Sequence, residues 1–169
     1  LSHNHNVSIS GGNSKTKYMG SVNYMNREGV VKNTGMNRVN ARSLLSTKIL
    51  KDRLDLSVGV NAMQGKHHGV PVGTDGQSVL DAMNYFSPTN PVTNADGSWF
   101  QSFVGSQNYN PLSMINEDSN DRSWRRMQLV GKASLKIIDG LMLNGNYSYN
   151  TRQTVYSYYN SSLSQLPFG

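Results

Sequence analysis

Six segments of the chain alternate apolar and polar residues with a period of two. In residues 54–63, the even positions from Leu54 to Ala62 are apolar, while the odd positions from Asp55 to Asn61 are polar or glycine. Successive side chains of a β-strand point to opposite faces, so the pattern predicts strands with one apolar and one polar face. The predicted strands span residues 4–11, 17–26, 38–50, 54–63, 125–138 and 141–151.

The connections between these strands are alternately short and long. Residues 12–15, residues 51–53 and the Asp139-Gly140 pair are short, whereas residues 27–36 and 64–123 are long. An antiparallel meander places its odd and even turns at opposite ends of the sheet. The short connections would therefore all lie at one end and the long loops at the other. This asymmetry is typical of a barrel in an outer membrane.

The composition fits strands that have one face in contact with water. Hydrophobic residues make up 36% of the chain and charged residues 15%, while 20 Asn and 22 Ser supply much of the remainder. No segment approaches the ~18 continuous apolar residues of a spanning helix. Asn, Ser, Gly and Tyr are poor or middling helix formers, which argues against a helical bundle. The prediction is an all-β chain forming a section of an antiparallel up-and-down transmembrane β-barrel.

The strand number predicts that the chain is incomplete as a barrel. Single-chain barrels start at about eight strands, and open edges in lipid leave backbone groups unpaired. Residues 1–169 are therefore predicted to be part of one larger barrel domain, and both chain ends are expected to continue into a longer protein. The alternative is a soluble β-sandwich, an adhesin-like carbohydrate-binding module, which should fold without detergent.

Several segments carry a family resemblance. Residues 5–12, followed by residues 15–18, resemble the start of the barrel in SusC/RagA-like TonB-dependent outer-membrane transporters. The resemblance continues in the same order over nearly the whole chain. The further matching segments are residues 26–35, 38–42, 90–92, 94–99, 110–112 and 139–141.

This resemblance implies a plugged barrel of 22 strands in the outer membrane of a Gram-negative bacterium. It implies energy coupling through TonB, a SusD-like surface lipoprotein that acts as a lid, and uptake of oligosaccharides or, in some members, peptides. The plug domain and the TonB box are expected to lie outside this chain. The resemblance is to a transporter, so no enzymatic activity is expected.

Basic residues share the polar side of two predicted strands. The chain carries 16 Lys and Arg against 10 Asp and Glu, and because these are spread along the sequence, no nucleic-acid partner is predicted. The polar side would form either a wall that contacts the plug or anionic solutes, or a simple solvated wall. The basic positions are Arg38, Arg42, Lys48, Arg126, Lys132 and Lys136.

The longest loop has its own predicted structure. Residues 78–86 have helical spacing with an N-cap at Ser78, and Pro88 follows them. Four aromatic residues of this loop could stack on sugar rings, or could pack within the loop or against the lid. They are Trp99, Phe100, Phe103 and Tyr109.

Aromatic residues near the strand ends predict an interfacial girdle, and the alternative for each of them taken singly is a packed core residue. They are Tyr18, Tyr24, Trp124, Tyr147 and Tyr149.

Metal and catalytic motifs are weak in this sequence. Cys is absent, and the pairs His3/His5 and His67/His68 have no carboxylate at a fixed spacing. The oxygen-rich residues 94–97 and 116–121 could hold calcium, but turn chemistry explains them better. No nucleophile elbow, P-loop or dinucleotide fingerprint occurs. The prediction is therefore a protein without a cofactor or a metal.

Overall fold

The computed structural model describes residues 1–71, 78–102 and 109–165. Within these residues the chain forms six strands and two short helices, and all six strands belong to one antiparallel up-and-down sheet in the order of the sequence. The elements are β1 (Ser2–Gly12), β2 (Thr16–Glu28), β3 (Gly35–Ile49), β4 (Leu54–His68), α1 (Val79–Tyr85), α2 (Pro111–Glu117), β5 (Asp118–Ile138) and β6 (Leu141–Asn160).

The predicted all-β, up-and-down architecture is confirmed. The observed strands are longer than the alternation predicts, because β4 continues to His68, β5 begins at Asp118 and β6 continues to Asn160. Residues 64–68 and 118–123, predicted as loop, are therefore strand. These segments are polar at nearly every position, and period two cannot be detected where both faces of a strand are polar.

The pairing of β1 with β2 shows how the two faces are sorted. Val7 lies opposite Val22, and Asn6 lies opposite Asn23. Directly opposed residues of an antiparallel pair share a face. Apolar residues therefore lie opposite apolar residues across this pair, and polar residues lie opposite polar residues. A slip of one residue would place the apolar side chains on the polar face, and the alternation therefore fixes the register.

The short turns have specific backbone requirements. Gly12 has φ +149°, and a Cβ there would lie 2.2 Å from the carbonyl oxygen of Thr16. Asn13 accepts hydrogen bonds at Oδ1 from the backbone N–H groups of Lys15 and Thr16, at 2.9 and 2.8 Å. Gly140, with φ +86°, supplies the left-handed residue of the predicted tight turn between β5 and β6.

The chain divides into two compact units. Unit one comprises residues 1–27, 37–65 and 123–154, and unit two comprises residues 28–36, 66–122 and 155–169. Unit one contains most of the sheet, and its apolar face is exposed, with Val7 and Leu143 retaining 74% and 60% of their accessible surface. The placement of all 169 residues in a single barrel domain stays a prediction.

Unit two has a small buried core. It consists of Val70, Val79, Ala82, Tyr109, Met114 and Ile115. The helices α1 and α2 supply four of these residues and pack against each other. None of the helices in the described part of the chain is long and apolar enough to cross a membrane.

Both helices begin with a side-chain cap. The predicted cap at Ser78 is confirmed, because Ser78 Oγ accepts a hydrogen bond of 3.1 Å from the backbone N–H of Asp81. Helix α2 was not predicted. Asn110 caps it by accepting at Oδ1 from the backbone N–H of Leu112, at 3.0 Å, and Pro111 occupies the first turn.

Candidate functional site

A groove of about 880 Å³ lies on the polar side of the sheet within unit one. We call it the polar groove. It is lined by residues of the β1–β2 turn and of strands β2 to β6. Its charged lining residues are Lys15, Lys17, Lys48, Asp55 and Lys132. Four ammonium groups and one carboxylate give this groove a positive potential, which favours an anionic ligand or partner.

Hydrogen bonds across neighbouring strands hold the polar groove in shape. Ser46 Oγ donates to Ser57 Oγ at 3.1 Å, and Ser134 Oγ donates to Asn144 Oδ1 at 2.6 Å. Lys48 Nζ lies 4.0 Å from Asp55 Oδ1, at the limit of an ion pair, and both side chains are about half exposed. A pair this long and this exposed contributes little to stability, so the Lys48 charge stays accessible to a ligand.

The groove brings together two of the six basic residues that the alternation placed on the polar side. Lys48 and Lys132 line it. Lys136 forms an ion pair with Asp139 of the β5–β6 turn. Arg42 and Arg126 are exposed and do not belong to the described lining of the groove, and Arg38 is half-buried.

Three buried polar atoms of unit one have no hydrogen-bond partner among the described residues. They are Arg38 Nε, Asn40 Oδ1 and Asn61 Oδ1. All three residues occupy polar-side positions of the adjacent strands β3 and β4. A buried donor or acceptor without a partner costs about 1–3 kcal/mol, so a polar partner against this part of the wall would be stabilising.

The predicted girdle needs one correction. Gly65 occupies a polar-side position of β4, and a Cβ added there would lie 2.3 Å from Trp124 Cζ2. Trp124 therefore packs on the polar side of the sheet and is not part of an aromatic girdle on the apolar face. The prediction rested on the position of Trp124 near a strand end. Trp124 is two residues from Arg126 on β5, however, and residues two apart on a strand lie on the same face, here the polar one.

Three of the four predicted loop aromatics lie within the described residues of unit two, where they take part in packing. Trp99 Nε1 donates to Glu117 Oε1 at 3.1 Å. Phe100 meets Phe86 edge to face, with ring centroids 6.4 Å apart. Tyr109 retains 8% of its accessible surface and belongs to the core. Phe103 lies outside the described residues.

Two amide side chains fix the backbone around Trp99 and Phe100. Asn110 Nδ2 donates to the carbonyl oxygens of Val92 and Phe100, at 2.8 and 3.1 Å, and Asn110 is almost fully buried. Gln165 Nε2 donates to the carbonyl oxygens of Trp99 and Phe100, at 3.2 and 3.3 Å. The family motif at residues 110–112 lies in this region, but no pattern in the sequence predicts that Asn110 organises it.

A second hollow, of about 530 Å³, lies within unit two. We call it the tyrosine pocket. Tyr156 and Tyr158 of β6 form its aromatic part. The longer polar side chains of its lining are those of His67, Asn120 and Arg122. The alternation does not predict this pocket, because the predicted sixth strand ends at residue 151. The alternating spacing of Tyr156 and Tyr158 is the signal that could have extended that strand.

Three carboxyl groups of unit two have shifted pKa values. Burial raises the pKa of Asp118 above its ordinary value, although a hydrogen bond of 2.8 Å from Ser164 Oγ opposes part of this increase. Hydrogen bonds from Ser98 lower the pKa of Asp96. Burial also acts to raise the pKa of Asp121, but the hydrogen bond from Lys66 and the charge of His68 outweigh it, so the net shift is downward.

The oxygen-rich turn at residues 94–98 satisfies its own side chains. Asp96 Oδ1 accepts from the backbone N–H and from Oγ of Ser98, at 2.9 and 2.6 Å, and Asn94 Nδ2 donates to Ser98 Oγ at 2.9 Å. This is turn chemistry. Across the described parts of the chain, no group of three or more His, Cys, Asp or Glu side chains is placed to hold a metal ion.

Comparison with known proteins identifies the relatives of this chain. It is 28% identical over 158 residues to TonB-dependent receptor P3 of Formosa agariphila, 33% identical over 121 residues to TonB-dependent receptor P26, and 26% identical over 158 residues to TonB-dependent receptor P39 of the same organism. The chain is related to TonB-dependent receptors. The resemblance to TonB-dependent transporters that the sequence motifs indicate is therefore confirmed for TonB-dependent receptors in general.

The similarity extends over most of this chain but over a small part of each receptor. It covers 89%, 70% and 92% of the chain, and 16%, 12% and 14% of TonB-dependent receptors P3, P26 and P39 respectively. No family model matches the chain. Each of these relatives has the name of a receptor and none has the name of an enzyme.

Proposed function

We propose that this chain forms part of the barrel wall of a TonB-dependent nutrient importer of the SusC/RagA type, in the outer membrane of a Gram-negative bacterium. The observation that carries the proposal is the sorting of the sheet into two faces. One face exposes residues such as Val7, Ile9 and Leu143, and the other carries the polar groove. Relatives named TonB-dependent receptors support the same assignment.

The apolar face has a physical role in this proposal. Apolar side chains in water cost about 25 cal/mol per Å² of surface, and contact with lipid acyl chains removes that cost. A lipid-facing strand also needs both of its neighbours, since unpaired backbone groups are not tolerated in the bilayer core. The edge strands β1 and β6 would therefore pair with further strands of the same barrel.

The polar face would line the lumen and contact the plug. Lys48 and Lys132 attract acidic groups of the plug, and the unpartnered atoms of Arg38, Asn40 and Asn61 accept hydrogen bonds from it or donate to it. Force transmitted by TonB from the periplasm would then move the plug and open a path along this wall. The transported substrate would be an oligosaccharide or another large nutrient such as a peptide.

The loops of unit two would meet the outside partner in this proposal. A SusD-like lipoprotein would close over them and deliver the substrate. The chain would bind and guide its ligand without changing it, and the proposal requires neither a cofactor nor a catalytic residue.

The alternative function is that of a soluble sandwich or adhesin-like carbohydrate-binding module. A sandwich needs two packed sheets that bury their apolar faces against each other. The described strands form one sheet with an exposed apolar face, which favours the barrel.

Solubility and energy dependence test the proposal. The purified 169-residue chain should require detergent or lipid to remain dispersed, and the complete receptor should import its nutrient only in cells with functional TonB. A monomeric, cooperatively folded and protease-resistant chain in plain buffer would contradict the barrel. Uptake that continues unchanged without TonB would contradict the coupling.

A further inference from the structure

Two tyrosines at the end of β6 expose most of their rings to solvent. Tyr156 retains 58% and Tyr158 70% of its accessible surface, and both line the tyrosine pocket. Residues two apart on a strand point to the same face, about 6.6 Å from each other. The two rings therefore form one aromatic surface along a wall of the pocket.

The rest of the pocket combines apolar surface with hydrogen-bonding groups. Val70 and Leu80 contribute apolar surface, while Asn120 and His67 bring an amide and an imidazole. No Asp or Glu belongs to the described lining. The lining therefore has nothing to neutralise a cationic ligand, while it can both donate hydrogen bonds to a ligand and accept them.

We infer that the tyrosine pocket binds an oligosaccharide, with sugar rings stacked on Tyr156 and Tyr158. A pyranose has an apolar C–H face and a rim of hydroxyl groups, and these match an aromatic surface beside an amide and an imidazole. This inference rests on the proposed importer function and names its substrate class.

The site differs from the one suggested by the loop aromatics. Tyr109 is buried in the core, and Phe100 packs against Phe86. A ligand cannot stack on the buried ring of Tyr109, and Trp99 and Phe100 are half-buried, whereas Tyr156 and Tyr158 retain more than half of their accessible surface. The aromatic contacts to substrate therefore shift from the long loop to the end of β6.

The test uses the complete receptor that contains this chain, purified in detergent. Its affinity is measured by calorimetry for a panel of neutral oligosaccharides, prepared from α-glucan, β-glucan, xylan and mannan, and for a panel of peptides of similar mass. Variants Y156A, Y158A and the double variant remove the rings, and Y156F and Y158F keep the rings but remove the hydroxyl groups. The matched control is Y159A, which removes the next ring on the same strand.

Each single alanine variant should bind the best oligosaccharide about tenfold more weakly, and the double variant about a hundredfold more weakly, because each stacked ring contributes on the order of one kcal/mol. The phenylalanine variants should stay within about threefold of the parent, since they preserve stacking. Tyr159 is 64% exposed but does not line the pocket, so Y159A should leave affinity unchanged.

Two results would overturn the inference. One is unchanged oligosaccharide affinity in the double variant, and the other is binding of peptides but of none of the oligosaccharides by the parent receptor. TonB-dependent uptake, measured in the same strains, separates these outcomes from failure of the proposed function. If uptake requires TonB but the tyrosine variants bind the oligosaccharide as tightly as the parent, the proposed importer function stands and only this binding site is rejected.

Discussion

Gly65 of β4 lies directly against the indole of Trp124 on β5, so closely that a Cβ at residue 65 would come within 2.3 Å of Trp124 Cζ2. The contact joins two neighbouring strands on the polar side of the sheet. The absence of a side chain at residue 65 is what allows the large ring to approach the backbone this closely.

The substitution G65A should therefore destabilise the protein. The added methyl group forces the indole or the strand to move, and overpacking of this kind costs about 1–3 kcal/mol. Chemical unfolding of the detergent-solubilised receptor measures the loss. The control is G131A, because a Cβ at residue 131 meets nothing within 4 Å. Equal unfolding midpoints for G65A and G131A would show that the indole does not require this glycine.

Asn110 should be the most sensitive polar residue of unit two. Its side chain caps α2 and also donates to the carbonyl oxygens of Val92 and Phe100. N110A removes the cap and leaves the carbonyl groups of Val92 and Phe100 with one partner fewer each, which should cost about 2–4 kcal/mol.

Hydrogen exchange in α2 provides the measurement for N110A, with N116A as its control. Asn116 is exposed and donates a single hydrogen bond to the carbonyl oxygen of Leu112. Loss of this hydrogen bond should lower the free energy of unfolding by no more than about 1 kcal/mol. Comparable exchange rates in the two variants would mean that Asn110 does not organise the loop.

The raised pKa of Asp118 predicts a pH dependence for unit two. Burial makes the charged carboxylate unfavourable, so the folded state binds the proton more tightly than the unfolded state, whose pKa lies near 3.8. Stability from this group is then greatest below the unfolded pKa and falls as pH rises through the folded pKa.

D118N should remove this dependence and make α2 more protected at neutral pH than in the parent, with little difference near pH 3. Hydrogen exchange across that pH range gives the comparison. The control is D96N, because Asp96 is fully exposed and its pKa is shifted in the opposite direction, downward. Parallel pH profiles for the parent and D118N would contradict the role of this carboxyl group.

The β3–β4 turn has an unusual backbone that suggests a stabilising substitution. Leu50, Lys51 and Asp52 have φ values of 53°, 55° and 64°, in the left-handed region. Each such residue with a Cβ is strained by about 1–2 kcal/mol. K51G should relieve that strain and raise the unfolding free energy by about 1 kcal/mol, after allowance for the entropy of glycine.

The same substitution at a turn residue without positive φ supplies the control for K51G. Lys15 lies in the β1–β2 turn and is not among the positive-φ residues of the described chain. K15G should therefore lower stability or leave it unchanged, because it adds only unfolded-state entropy. A loss of stability in K51G as large as that in K15G would exclude strain at residue 51.

The sequence predicted the sheet well and the loop contacts poorly, for a physical reason. Alternation such as Val7, Ile9 against Asn6, Ser8 fixes strand, face and register together, since a one-residue slip would exchange the faces. The cap at Ser78 was equally readable, because it needs only local spacing. The contacts of Asn110, which span residues 92 to 112, depend on how distant segments fold together and carry no periodic signal.

The polar groove predicts that Lys132 matters more than a nearby apolar residue of the same strand. K132L removes one of the four ammonium groups that line the groove and should lower nutrient uptake by the complete receptor several-fold. L129V keeps an apolar side chain on the opposite parity of β5 and should leave uptake close to that of the parent. Uptake by cells that contain equal amounts of each variant is the measurement. Equal transport by K132L and L129V would remove any special role for the basic wall, whereas a loss confined to K132L, and restored by K132R, would assign that role to the charge.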